Sequence, residues 1–251
     1  MKHLLIFTLL GSLLMTGCQS AHHADALPQY TFTPDANYPE TVAATQEKAL
    51  QQQKLLLVVL GAQWCHDSRG LAGKFSDPKM QTVLKQRFET VFIDVEYFED
   101  RHAIAQQFGY PAYFGTPTVL VVDPKTSKLL NRETVPIWQS GDSVPLDEYI
   151  DYFSYVGKVA PLPVIDSEQL SDFTQAQVAR LKQAFDYLRP VWKDVRGGTQ
   201  KDSTELSIIA TEVWKFRVQL QKNINIMNEQ LRQNPQIELV IPSYEKFSWE
   251  S

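Results

Sequence analysis

The sequence predicts an α/β sandwich, a central mixed sheet with flanking helices, followed by a C-terminal α-helical hairpin. Three observations carry this prediction. Between residues 40 and 157, helix-forming stretches alternate with short apolar runs. The first of those runs is continuously apolar, as a strand buried on both faces is. After Pro161-Leu162-Pro163 the apolar residues recur at spacings of three and four, the period of a helix with one buried stripe.

Residues 40–53 (ETVAATQEKALQQQ) are rich in helix formers. KLLLVVLG (54–61) is the buried strand, and WCHDSRGLAGKF opens a second helix. Ser76-Asp77-Pro78 restarts the chain as a third helix, with a capping residue and then proline at the first helical position, running to about Phe88. TVFIDVEYF (90–98) follows as a strand, and DRHAIAQQFG (100–109) as a short helix ending at Gly109. TVLVV (118–122) is a strand, residues 123–126 a turn, and KLLNRE (128–133) its antiparallel partner. The other strands, each reached through a helix, are expected to pair in parallel. LDEYIDYFSYVG (146–157) closes the unit as a helix.

Two amphipathic helices come next. Val178, Leu181, Phe185, Leu188, Trp192 and Val195 form one stripe; Leu206, Ile209, Val213, Phe216 and Leu220 form the other. Gly197-Gly198 separates them, Asp202 with Glu205 resembles a capping box, and Pro190 is expected to kink the first helix or end it early. The stripes read first as packing surfaces, against each other or the α/β unit, and second as a site for a partner protein. The tail IELVIPSYEKF (237–247) reads either as a strand or as an ordered strap.

The N-terminus lies outside this fold. Met1-Lys2-His3 precedes LLIFTLLGSLLM, too short to span a membrane as a stable helix with these flanks, and the run ends in Met15-Thr16-Gly17-Cys18. It resembles a bacterial lipoprotein signal, in which small residues precede a cysteine that receives lipid before cleavage. Met15 stands where that pattern usually has leucine. The resemblance implies lipidation at Cys18 and, with Gln19 rather than aspartate following, the default sorting to the outer membrane facing the periplasm. An ordinary secretory signal with an incidental cysteine is the other reading. The chain thus divides into a signal peptide over 1–17, a tether over 18–39 with a short strand at Tyr30–Phe32, the α/β domain over 40–160, the hairpin over 165–235 and a tail over 236–251.

Composition narrows the function. The 251 residues suffice for one large domain, or a typical domain plus an extension. Their formal net charge is −5, and loss of residues 1–17 leaves 23 basic against 29 acidic residues, or −6. No basic stripe is present, which argues against nucleic-acid binding. His22 and His23 are adjacent but have no companion ligands in a segment read as flexible, so a structural metal site is not expected there.

The chemistry centres on Trp64-Cys65-His66-Asp67-Ser68. With Cys18 lipidated, Cys65 is the one free thiol, so no intramolecular disulfide can form. A thiol at a helix N-terminus meets unpaired backbone N–H groups and the positive end of the helix dipole, and both favour thiolate. A free cysteine titrates near ~8.5, and such positions lower that value. Protonated His66 would act in the same direction and Asp67 against it. Ser68 lies one helical turn on, so its hydroxyl can hydrogen-bond the sulfur. A buried, unreactive cysteine is the plain alternative. A Cys-His-Asp triad is disfavoured, because adjacent residues at a helix start point in different directions. His102 reads as a surface or partly buried histidine rather than a ligand.

The strand, the WCHDS turn, the helix, and then Gly115-Thr116-Pro117-Thr118 before a strand together resemble the thioredoxin superfamily over residues 40–157. The resemblance implies a thioredoxin-like sandwich, with Cys65 beside a cis proline at Pro117 that helps bind an extended peptide or thiol substrate. The plain alternative for Pro117 is a trans proline starting a strand, and its Thr-Pro-Thr-Val context favours cis. Two positions depart from the dithiol pattern: Ser68 replaces the resolving cysteine, and Val59 stands where a buried acid assists it. Both departures leave monothiol chemistry, in which Cys65 attacks a disulfide or sulfenic acid, forms a mixed disulfide, and is released by an outside thiol. The expected assignments are Cys65 as nucleophile, Ser68 as its thiolate-stabilising neighbour, and Trp64, His66, Thr116 and Pro117 as the substrate groove. The substrate would be a protein thiol or disulfide, or a low-molecular-weight thiol, with no metal and no cofactor. The alternative is a redox-inactive binding module that uses the groove or the hairpin to hold a partner protein at the periplasmic face of the membrane.

Overall fold

A computed structural model describes residues 29–196, 198 and 204–250. Cys18, the signal peptide, His22, His23 and Asp202 of the expected capping box lie outside the described residues, and the side chain of Glu205 is likewise not described.

The chain forms α1 (Tyr38–Gln51), β1 (Leu55–Gly61), α2 (His66–Phe75), α3 (Pro78–Arg87), β2 (Phe88–Asp94), α4 (His102–Gln106), β3 (Thr118–Asp123), β4 (Lys128–Leu129), a 3-10 segment (Arg132–Ser140), α5 (Leu146–Tyr155), α6 (Glu168–Arg196) and α7 (Thr204–Gln233). Strand order in the sheet is β2-β1-β3-β4. This is the α/β sandwich with a helical hairpin that the sequence predicts.

The central strand shows why its sequence is uniformly apolar. Leu56, Val58 and Leu60 enter one core, with Leu120 and Val122 of β3 and residues of α1, α4 and the hairpin. Leu57 and Val59 enter the other, with Val119, Val121, Leu71, Phe75 and Phe153. Each face needs every second residue, so a strand covered on both sides needs all of them. The restart at α3 follows its expected chemistry. Asp77 caps the helix, accepting a hydrogen bond from the Lys79 N–H at 2.8 Å, and Pro78 occupies the first turn.

Three strand expectations are corrected. β2 begins at Phe88 and ends at Asp94, because Glu96 (φ 47°) and Phe98 (φ 63°) take left-handed backbone that cannot continue a strand. β3 pairs with β1 antiparallel rather than parallel, with Leu60 opposite Thr118. A parallel return would have to recross a seven-residue strand, about 23 Å. β2 leaves the sheet at the end where β1 does, and the chain re-enters at that same end, at Thr118, after α4. The strand expected over 128–133 is two residues long. Beyond it, the buried Asn131 side chain replaces the ladder: its Oδ1 accepts from Val121 N (2.8 Å) and its Nδ2 donates to Val119 O (3.0 Å). Backbone pairing is unnecessary where one amide serves the same two groups, and the chain turns away into the 3-10 segment.

The hairpin is part of the same body. Leu181, Phe185 and Leu188 of α6 and Leu206 to Leu220 of α7 join the core that covers the β1 face. Helix α6 continues past Pro190 to Arg196, so the early end expected there does not occur. The tail is a strap, not a strand. The Gln169 amide brackets Leu239 through its N–H (3.0 Å) and its carbonyl (2.8 Å), and Phe247 is buried between Phe216 and Trp249. No strand forms at Tyr30–Phe32; Phe32 is nevertheless buried, and Tyr30 stacks on Phe92. Among the described residues no helix is long and apolar enough to cross a membrane.

Candidate functional site

Antiparallel pairing of β1 and β3 builds the site. β1 exits at Gly61 and β3 enters at Thr118 at the same end of the sheet. The WCHDS turn and the Gly115-Thr116-Pro117 loop are therefore neighbours. The Thr116–Pro117 bond is cis. Cys65 is the N-cap of α2, with extended backbone (φ −84°, ψ 122°), and the residue is partly exposed. The thiol donates to the Thr116 carbonyl at 3.3 Å.

Ser68 is placed differently from its expected role. It is fully buried, and its hydroxyl accepts from the Ala62 N–H (3.3 Å), making no hydrogen bond to Cys65 among the described residues. It fixes the exit of β1 against the first turn of α2. A Cβ at Gly61 would overlap the Phe32 ring first and then meet Ser68 Oγ at 2.8 Å, so this position has room only for glycine.

Trp64 turns away from an open groove. Its indole N–H donates to the Glu96 carbonyl, and its ring packs on Phe98 (4.9 Å) and on Trp192 of α6 (5.4 Å). His66 is exposed and faces Asp67 at 3.1 Å, so the two charges expected to act on the sulfur in opposite directions are partnered with each other. The other Asp67 oxygen accepts from Asp142 N at 3.2 Å. Gly115, Thr116 and Pro117, expected to border the substrate groove, are all buried.

What covers this loop includes a residue that sequence reading missed. Arg217 of α7 reaches down from the hairpin, and a Cβ at position 115 would overlap its guanidinium. Arg217 Nη1 donates to the Phe114 carbonyl (3.0 Å) and to Gln139 Oε1 (3.4 Å). Gln139 donates in turn to Gln221 (3.1 Å), which donates to the Tyr110 hydroxyl (2.7 Å). This chain of side chains ties α7 to the α/β unit. Burial lowers the Arg217 pKa to about 10, against the opposing pull of Cys65 and Asp67. A signal was present in the sequence: position 217 is four after Val213 and three before Leu220, on the apolar stripe. A charge on that stripe marks something more than packing.

His102 is a core residue rather than the surface or partly buried one expected. It is 4% exposed, stacked between Tyr113 (4.5 Å) and Phe185 (5.9 Å), and its Nδ1 has no hydrogen-bond partner. Among the described residues no cluster of three His, Cys, Asp or Glu side chains could hold a metal ion.

Residues 36–124 match the model of a family described as Thioredoxin-like. No curated protein matches the chain. One solved structure with which it shares a likeness is a disulphide isomerase from Xylella fastidiosa Temecula1, at 25% identity and a TM-score of 0.45, over 49% of this chain and 95% of that one.

Proposed function

We propose that this thioredoxin-like domain carries out monothiol thiol–disulfide exchange at Cys65, on a chain anchored through lipid at Cys18 and facing the periplasm from the outer membrane. The observation that carries the reading is the placement of Cys65. Cys65 is the N-cap residue of α2 and is partly exposed, its thiol meets the Thr116–Pro117 loop, and no second cysteine is present among the described residues. The Cys65 thiolate attacks one sulfur of a substrate disulfide. A Cys65–substrate disulfide forms, the substrate S–S bond breaks, and the other half leaves as a thiolate. Ser68 has no sulfur and its hydroxyl is committed to Ala62. An external protein thiol or low-molecular-weight thiol therefore attacks the mixed disulfide and returns Cys65 as a thiolate.

The anchor rests on the residues around Cys18. One experiment separates the two cysteines. Cys18→Ser leaves the membrane fraction and keeps a one-to-one adduct with glutathione disulfide. Cys65→Ser stays in the membrane fraction and forms no adduct. An adduct on Cys65→Ser of unchanged size would end the exchange reading.

Burial of Gly115, Thr116 and Pro117 favours a second reading, a binding module that holds a partner protein without turnover. Partner capture that survives Cys65→Ala supports it.

A further inference from the structure

We propose that Arg217, delivered by the appended hairpin, is a positioning residue of the Cys65 centre: its guanidinium stabilises the negative charge that forms on the sulfur. The proposal rests on the exchange reading above.

Arg217 is partly buried, with its guanidinium held against the backbone at Phe114 and Gly115. Burying a charge is costly unless it is paired. Among the described residues no carboxylate lies within ion-pair distance of it; its partners are the Phe114 carbonyl and the Gln139 amide oxygen. The negative groups that couple to it are Cys65 and Asp67. Asp67 is already engaged by His66 and by the Asp142 N–H. The sulfur is therefore the remaining group whose charge can answer the guanidinium.

The local geometry fits this role. Arg217 and Cys65 donate to carbonyls two residues apart, Phe114 O and Thr116 O. The neutral thiol donates to the Thr116 carbonyl, and the thiolate has no proton to donate. Ionisation thus leaves an anion facing a carbonyl oxygen, and a positive charge nearby offsets that repulsion. Gly115 keeps the space open, since any side chain there would displace the guanidinium. The charge on Cys65 appears twice in exchange, once when it attacks and again when it leaves the mixed disulfide. Arg217 favours both steps.

The test is the rate of Cys65 alkylation by iodoacetamide across pH, with thermal unfolding followed in parallel. Arg217→Met is expected to react about tenfold more slowly at neutral pH. Arg217→Lys, which keeps the charge, is expected to recover most of that loss. Equal slowing in both variants, or no slowing in Arg217→Met, overturns the proposal while leaving exchange at Cys65 intact. A wild-type Cys65 that does not react overturns the exchange reading and this proposal with it.

A measurement on the unmodified chain keeps the proposal falsifiable if Arg217→Met does not fold. The ratio of iodoacetate to iodoacetamide rates is expected to be higher in the folded protein than in the same chain in urea, because a neighbouring cation draws in the anionic reagent. A folded ratio at or below the unfolded one overturns it.

Discussion

Phe185→Ala is expected to destabilise the protein by about 3 to 5 kcal/mol, the usual loss for a buried aromatic ring replaced by a methyl group. Phe185 is 1% exposed. It lies where the hairpin meets the α/β unit, packed on Phe98 (4.9 Å), Tyr113 (5.4 Å) and His102 (5.9 Å). Removing the ring leaves a cavity between two elements joined by few other aromatic contacts of this depth, and the cavity cannot close without moving α6. Moving α6 also disturbs Trp192 against Trp64, which is adjacent to Cys65. Denaturant unfolding checks the magnitude, and tryptophan emission reports the displacement. Ile208→Ala, at an exposed position on α7, is the control and is expected to change stability by less than about 0.5 kcal/mol. A Phe185→Ala protein as stable as that control would mean that the hairpin is not built into the core.

Stability is expected to fall by roughly 2 to 3 kcal/mol between pH 7 and pH 4.5 through His102 alone. Burial pushes its pKa from the ordinary 6.5 down to about 4; Lys182 acts in the same direction, while Asp100 and Asp186 act against it. The unfolded chain therefore binds a proton near the ordinary value while the folded chain does not. The contribution is complete above about pH 6.5 and is lost as the pH falls toward 4, where the folded state also accepts the proton. Lys182, the cation that acts on the ring, is ion-paired with Asp100. His102→Phe keeps a flat ring between Tyr113 and Phe185 and leaves no partner unsatisfied, since Nδ1 has none. The variant should unfold with a shallower dependence over this range. Parallel curves for the two proteins would show that His102 does not titrate on unfolding.

The sequence made some of this legible because single residues carried unambiguous signals. A seven-residue apolar strand, a capped proline start at Asp77-Pro78, and a cysteine at the opening of a helix each follow from local chemistry. The pairing direction of β3 does not, because it depends on the end of the sheet at which the long connection after β2 returns, and no local residue marks that end. Asn131 was hidden for a related reason. An asparagine between a strand and a turn reads as a loop residue until its amide is seen replacing a ladder. Arg217 was the largest omission. It lies on the apolar stripe of α7, but a lone arginine among exposed Lys215 and Gln219 reads as the solvated face of an amphipathic helix. Its role appears only once the hairpin is folded back over residues 114–117.

The most direct test of the central claim compares the alkylation rate of Cys65 in the folded protein with that of the same thiol in the unfolded chain, at neutral pH, with iodoacetamide. The helix N-terminus and the nearby guanidinium predict a folded rate about tenfold above the unfolded one. A folded rate equal to or below it would contradict an activated thiol and leave the binding reading in its place.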